Sequence, residues 1–314
     1  MLQRYRRLKS VGWILQGLCV TGATAQRKHG SSSSAPQLSK PGALTLCLQQ
    51  DGVRNIILNN PQKRNTLSLH MLQCLQHDLL HDLENQSLRV IIISAKGSVF
   101  SSGHDLKELA AAECKEHQTR IFSTCAEVLL YLPVTSCAVT FVMTSIPRIP
   151  VPVIAMVNGL ATAAGCQLVA SCDMAVASET SKFATPGVNV GLFCSTPAVA
   201  LGRSVPRKVA LEMLFTGEPI SAKDALLHGL LSKVVPEDKL EEETMNIAKK
   251  ICSTSRSVVA LGKTIFYRQM TQGVVSAYET ASEAMVDNLS LRDGKEGIEA
   301  FFNKREPIWS HKME

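Results

Sequence analysis

Two stretches of this chain could hold a reacting group: G-S-V-F-S-S-G-H-D-L-K-E-L (97–109) and N-G-L-A-T-A-A-G-C-Q-L (158–168). Each follows an apolar run of strand character and leads into a helical pattern. Each is built from small residues, Ser101, Ser102 and Gly103 in the first and Gly159, Ala161, Ala163, Ala164 and Gly165 in the second. Small side chains expose the main chain, and the amides that open a helix have no acceptor within it. Such a turn can therefore receive an anion, or an oxygen that gains negative charge during a reaction. Two of them aimed at one oxygen would make an oxyanion pair, although a tight strand-to-helix turn needs small residues in any case. Among the nearby side chains, His104 could move a proton but reads better as a loop residue contributing its N–H, and Asp105 reads as a helix cap. Cys194 has no cation or histidine close in sequence to make it a thiolate, so it reads as an inert thiol. No G-x-S-x-G and no P-loop is present, which leaves serine-hydrolase and nucleotide-binding readings without a motif.

The elements that must position these turns are legible in outline. A-L-T-L-C-L and V-R-N-I-I-L-N alternate around Q-Q-D-G as a hairpin. A helix follows from near Thr66 or Ser68, with Leu72, Leu75, Leu79 and Leu83 on one stripe. R-V-I-I-I-S-A is an unbroken apolar run, the pattern of a parallel strand buried on both faces. P-V-I-A-M-V-N-G and D-M-A-V-A-S read as strands, and P-I-S-A-K-D-A-L-L-H-G as a helix capped by Ser221 and stopped at Gly229. Strands alternating with helices make the class α/β. From Pro236 onward there is no strand signal, and three helices are expected, in E-D-K-L-E-E-E-T-M-N-I-A-K-K-I, S-V-V-A-L-G-K-T-I-F-Y-R-Q-M and E-G-I-E-A-F-F-N-K-R-E. The organisation is thus a leader over 1–40, an α/β core over 43–235 and a helical region over 236–314, with no repeat at a fixed period. One segment fits poorly: 20 uncharged residues lie between Glu127 and Arg148. Its prolines and hydroxyl residues argue against a membrane span and for a buried helix with an irregular insertion at about 131–148.

Charge narrows the function classes. The chain of 314 residues carries a net charge of +6, but Arg4, Arg6, Arg7, Lys9, Arg27, Lys28 and Lys40 precede the first acid, Asp51, and the remaining 26 basic residues face 27 acidic ones. The body offers no footprint for nucleic acid. The Arg- and Ser-rich, acid-free leader reads as an organelle transit peptide, with a secretory signal as the rival. The 10 cysteines are scattered, without C-x-x-C or a His/Cys cluster, so reduced thiols are expected and neither a disulfide framework nor a metal site is implied.

F-S-S-G-H-D, N-P-Q-K-R-N-T-L, P-V-I-A-M-V-N-G-L-A-T-A-A-G-C-Q-L and E-G-I-E-A-F-F-N-K-R, in this order and spacing, resemble the enoyl-CoA hydratase/isomerase (crotonase) superfamily over roughly residues 43–310. The wording is most like that of a mitochondrial member, which favours the transit-peptide reading and a matrix location. The resemblance implies a crotonase-type spiral of ββα repeats with a C-terminal helical trimerisation region, hence a homotrimer or dimer of trimers. It implies an acyl-CoA thioester as ligand, with coenzyme A part of that ligand and no separate cofactor. The thioester oxygen would sit between the backbone N–H groups of His104 and Ala164. Lys63, Arg64 and Lys107 would face coenzyme A, beside Asp105 and Leu106, while Phe301 and Lys304 would reach a neighbouring subunit's site.

The departures from the family matter as much. Competent hydratases carry glutamates at two positions that here hold Gln167 and Gly187. Hydration needs one group to take a proton from water and another to deliver one to carbon, which an amide and a glycine cannot do. The expectation is an acyl-CoA-binding protein of fatty acid metabolism that is not an efficient hydratase. The alternatives are an enzyme working by enolate stabilisation, such as a decarboxylase or a weak hydratase/isomerase, and a non-catalytic scaffold in crotonase trimers. Restoring both acids, with Gln167→Glu and Gly187→Glu, is expected to raise crotonyl-CoA hydration. Some relatives bind RNA through a Lys-rich helix; D-L-K-E-L-A-A-A-E-C-K-E-H-Q-T-R has only Lys107, Lys115 and Arg120 among four acids, so no RNA role is expected.

Overall fold

A computed structural model describes residues 42–111 and 138–313. The leader expected over 1–40 and residues 128–137 of the apolar segment lie outside the described residues. Strands β1 (Thr45–Gln50) and β2 (Val53–Leu58) pair antiparallel across Asp51 and Gly52, both at positive φ, a two-residue turn whose twist matches its strands. Helix α1 (Leu69–Leu80) opens where Ser68 Oγ accepts the Met71 N–H at 3.3 Å, and it buries Met71, Leu72, Leu75 and Leu79.

From here the chain repeats one unit. β3 (Val90–Ala95) runs into β4 (Val99–Ser101) and then helix α2 (Leu106–Ala110). After α3 (Ala138–Ser145), β5 (Val153–Val157) runs into β6 (Leu160–Thr162) and helix α4 (Ala164–Ser171). β7 (Met174–Ser178) runs into β8 (Lys182–Ala184), a 3₁₀ turn at Pro186–Val190 and helix α5 (Ser195–Ser204). Helix α6 (Arg207–Thr216), β9 (Ile220–Ser221), helix α7 (Ala222–Leu227) and β10 (Lys233–Val235) complete the core. The first strand of each unit joins a six-stranded sheet ordered β1-β2-β3-β5-β7-β10, and the second joins a four-stranded sheet ordered β4-β6-β8-β9. This is the expected spiral of ββα units.

Because β3 lies inside the larger sheet, its two faces serve two cores. Ile91 and Ile93 pack with Leu72, Leu75 and Leu79, whereas Val90 and Ile92 pack on the opposite face with Leu240 and Ala248. That explains an unbroken apolar run where a half-buried strand would alternate. Ser221 caps α7 through the Asp224 N–H at 3.1 Å, as its sequence predicts. The apolar segment ends in α3, which buries Val142 and Met143 before a 3₁₀ turn at Ile146–Arg148. Among the described residues no helix is long and apolar enough to cross a membrane.

After β10 the described elements are helices: α8 (Leu240–Cys252), α9 (Arg256–Gln269), α10 (Val274–Ser290) and α11 (Arg292–Phe302). Helix α10 is the one the sequence does not announce. It buries Thr280 and Ala284 and leaves Val274, Val275, Tyr278, Met285 and Val286 exposed, so its sequence has little of the polar–apolar contrast by which a helix facing its own core is recognised. Burial works against ionising Asp293, at the start of α11. Hydrogen bonds from the Ser255 and Ser310 hydroxyls and from the Ser310 and His311 main chain nevertheless hold its carboxyl down at about 2, pinning the C-terminal tail across the α8–α9 junction.

The helical region is fastened to the sheet by a largely buried polar cluster. Lys263 Nζ on α9 meets Asp173 Oδ2 at 2.5 Å and the Val151 carbonyl at 3.0 Å, and the Tyr267 hydroxyl donates to Asp173 Oδ1 at 2.7 Å. Burial pulls the Lys263 pKa down while Asp173 opposes that shift. Removing one partner of a buried pair leaves the other uncompensated. Lys263→Ala is expected to cost about 3–5 kcal/mol in urea unfolding, and Lys263→Met combined with Asp173→Asn less than that; a Lys263→Ala cost below about 1 kcal/mol would contradict this role.

Candidate functional site

β4 and β6 are parallel neighbours in the smaller sheet, so the turns at their C-terminal ends emerge side by side. In the first turn Asp105 caps α2, accepting the N–H groups of Lys107 at 3.0 Å and Glu108 at 3.4 Å. Its carboxylate serves the helix, as expected. The turn is also fastened from behind: Leu67 N–H donates to the Gly103 carbonyl at 2.7 Å, Ser102 N–H to Arg64 at 3.0 Å, and the Ser101 hydroxyl to Asn65 at 2.8 Å.

The residue that organises this backing is Asn65, a role the sequence does not reveal. It is fully buried at φ 50°, accepts the Asn60 N–H at 2.8 Å, and donates through Nδ2 to the carbonyls of Lys96 at 2.9 Å and Val99 at 2.8 Å. The only sequence cue is an Asn able to tolerate left-handed backbone after Pro61. Through it the loop bearing exposed Lys63 and Arg64 is bonded to the turn that bears His104, with exposed Leu106 and Lys107 just beyond.

The second turn holds Ala163 at φ 49°, ψ −118°, a region that non-glycine residues seldom occupy and that costs on the order of 1–3 kcal/mol. The conformation is fixed from both sides: Ala163 N–H donates to Ala184 at 2.9 Å, and its carbonyl accepts the Gln167 N–H at 2.9 Å. Ala164 is then the first residue of α4, so its N–H has no acceptor within the helix and lies at the positive end of the helix dipole.

The turns touch. Gly103 has φ +82°, and a Cβ placed on it would lie 2.8 Å from Ala163 Cβ, 2.9 Å from the Thr162 carbonyl and 3.2 Å from the Ala164 nitrogen. No larger residue fits at 103, because the main chain leading into His104 passes close to the Ala163–Ala164 turn. Burial lowers the His104 side-chain pKa, with a backbone hydrogen bond to Leu67 opposing.

Around this pair, the structure gives the two departures different characters. Gln167 lies in the first turns of α4, 4% exposed, and its Oε1 has no hydrogen-bond partner. At Gly187 a Cβ would meet the Leu192 carbonyl at 2.5 Å and Cys194 Sγ at 2.7 Å. A carboxylate therefore cannot be rooted there in this loop conformation, which corrects the expectation that Gly187→Glu would help restore hydration. Cys194 is buried, and burial raises its pKa against the opposing Gly187 N–H. It is a thiol filling space, in line with the inert reading. Asn189 and Ser195 are exposed.

The model for the family described as enoyl-CoA hydratase/isomerase matches residues 49–312. The chain belongs to this family. The enoyl-CoA hydratase domain-containing protein 3, mitochondrial, of Rattus norvegicus is 64% identical over 282 residues, covering 90% of this chain and 89% of that protein. A crystal structure of human enoyl Coenzyme A hydratase domain-containing protein 3 has a TM-score of 0.79 at 64% identity, covering 85% of this chain and 100% of that one. A crystal structure of an enoyl-CoA hydratase from Mycobacterium smegmatis also has a TM-score of 0.79, at 44% identity, covering 85% and 99%. The mitochondrial location expected from the leader agrees with the names of the 64%-identical relatives.

Within this enoyl-CoA hydratase/isomerase fold, the residues singled out from sequence separate into two groups. Lys63, Arg64, His104, Asp105, Leu106, Lys107 and Ala164 stand on segments bonded or packed to one another, with Gln167 one helical turn on. Phe301 lies in the last turn of α11 and Lys304 just past its end; the helix packs on α9 and α10, and Phe301 is 79% exposed. Gly187→Glu is expected to lower the melting temperature and leave crotonyl-CoA hydration unraised, in the wild-type or the Gln167→Glu background. Thermal unfolding beside an absorbance assay checks this, and a stable, hydrating double variant would contradict the packing described.

Proposed function

We propose that the protein is an acyl-CoA-binding member of its family, resident in the mitochondrial matrix, and that it is not an efficient enoyl-CoA hydratase. The observation that carries the reading is the contact of the two turns, Gly103 on Ala163 and Ala164, maintained at the cost of a strained alanine, beside an amide at 167 and no side-chain room at 187. The thioester oxygen accepts the N–H groups of His104 and Ala164. As the acyl carbonyl takes on enolate character, these preorganised dipoles stabilise the developing charge, each by about 2.7–4 kcal/mol. Lys63, Arg64 and Lys107 supply cations for the coenzyme A phosphates, and coenzyme A enters as part of the ligand.

Hydration also needs proton transfer. A positioned acid or base contributes about 10²–10⁴-fold, and Gln167 can only hold a water by hydrogen bonds. A second reading keeps an enzyme: loss of carbon dioxide from a malonyl-type thioester leaves its electrons on the carbonyl, so it draws on the oxyanion pair and asks little of an acid or base. The retained donor pair without carboxylates favours that class over hydration. Phe301 and Lys304 serve a neighbouring subunit in a homotrimer or a dimer of trimers. The exposed Val274, Val275, Tyr278, Met285 and Val286 of α10, with Phe301 and Phe302 of α11, support burial of this region between copies.

Mass spectrometry of the protein incubated with enoyl-, hydroxyacyl- and malonyl-type thioesters, scoring bound and converted species, tests this. The expected result is retention of thioesters with little or no hydration of crotonyl-CoA. Conversion of the malonyl-type thioester would select the second reading. Hydration at about 10 s⁻¹ or faster, or no retention of any thioester, would contradict the proposal.

A further inference from the structure

The last turn of α1 carries two imidazoles that the acyl-CoA reading does not use. His77 lies in that turn and His81 caps it, and their stacked rings are 5.5 Å apart with 22° between the planes. Residues four apart share one helix face. His81 keeps this register: its N–H donates to the His77 carbonyl at 2.8 Å and its φ is −59°, so the chain leaves the helix only after its Cβ is placed. The main chain here is clamped from below. The buried Arg54 guanidinium donates to the carbonyls of Asp78 at 3.1 Å and His81 at 2.6 Å, and Asp82 and Asp78 offset its charge. Both histidines are exposed.

One ring is also oriented. His77 Nδ1 lies 3.2 Å from Asp78 Oδ1, while the Thr45 hydroxyl on β1 donates to Asp78 Oδ2 at 2.6 Å and fixes the carboxylate. A carboxylate only accepts, so Nδ1 carries the proton and Nε2 keeps the free lone pair. This is how a carboxylate sets the tautomer of a metal-binding histidine. Two imidazoles on one tetrahedral ion, bound at about 2.0–2.1 Å, have ring centres about 5 Å apart, close to the spacing found. We infer that His77 and His81 bind a divalent transition-metal ion of the imidazole-preferring class, zinc, nickel or copper, and that Asp78 is the positioning residue. Among the described residues no three His, Cys, Asp or Glu side chains are grouped to hold an ion, so water completes the coordination. Magnesium, which takes oxygen ligands, is not bound.

Isothermal titration of the full chain with Zn²⁺, and with Mg²⁺ as control, tests it. Wild type is expected to bind a Zn²⁺ ion that the His77→Gln, His81→Gln double variant does not, and His70→Gln should bind as wild type does. Either single substitution should weaken the site by at least about 10-fold and Asp78→Asn by about 10-fold, the exposed-histidine variants keeping the metal-free melting temperature. Nitrogen-15 spectra should show His77 as the Nδ1–H tautomer in wild type, and that preference should be lost in Asp78→Asn. Zn²⁺ binding that is absent from wild type, unchanged in the double variant, or matched by Mg²⁺ would overturn the site. An unaltered tautomer and affinity in Asp78→Asn would overturn the positioning role.

Discussion

The contact between Gly103 and the Ala163–Ala164 turn is the constraint on which the rest of the site depends. Two parallel strands of three residues each, β4 and β6, stop side by side. Their exits can press together only because one side carries no Cβ and the other only a methyl group. Everything around that contact holds it in place: Asn65 ties the preceding loop to β4, Leu67 holds the Gly103 carbonyl, and Ala184 holds the Ala163 amide. The larger sheet, buried on both faces, provides the stiff platform from which each ββα unit launches its short second strand. The Asp173–Lys263–Tyr267 cluster fastens α9 to the entry of β5 and so couples the helical region to the same platform.

The chemistry follows from which groups that constraint keeps and which it lacks. Short of proline, a substitution leaves a backbone N–H in place, so under the proposed reading the oxyanion frame outlasts the absence of both acids. Under the proposed reading, Gln167 has the shape of a glutamate without its proton chemistry. Gly187 has gone further, since its side-chain space is taken by the Leu192 carbonyl and the Cys194 thiol. The proposed function follows from that arrangement: a thioester carbonyl is held, or charge on it is stabilised, by the two amides. The strain at Ala163 is consistent with that use, because strained backbone of this kind gathers where geometry serves a ligand.

What was legible in the sequence was whatever short-range rules determine. The Asp-Gly hairpin, the Ser68, Asp105 and Ser221 caps, the apolar run of β3 and the small-residue turns all follow from local patterns, and the family resemblance supplied their assembly. What escaped depends on distance in the chain or on brevity. The strands of the smaller sheet are two or three residues long, too short to show a period. Asn65 acts through partners around 31–34 residues away, and Lys263 through one 90 residues away. The closure of space at Gly187 arises from a loop that folds back on itself. Helix α10 is not announced because its exposed apolar residues blur the amphipathic signal.

The central claim is that two backbone amides converge on one thioester oxygen, and vibrational spectroscopy reads that directly. Isotope-edited difference infrared spectroscopy of carbonyl-labelled butyryl-CoA, free and bound, would report the polarisation of the carbonyl bond. Two N–H donors predict a clear shift of the bound stretch to lower frequency. A bound thioester whose carbonyl absorbs as it does in water or in a less polar solvent would contradict the account.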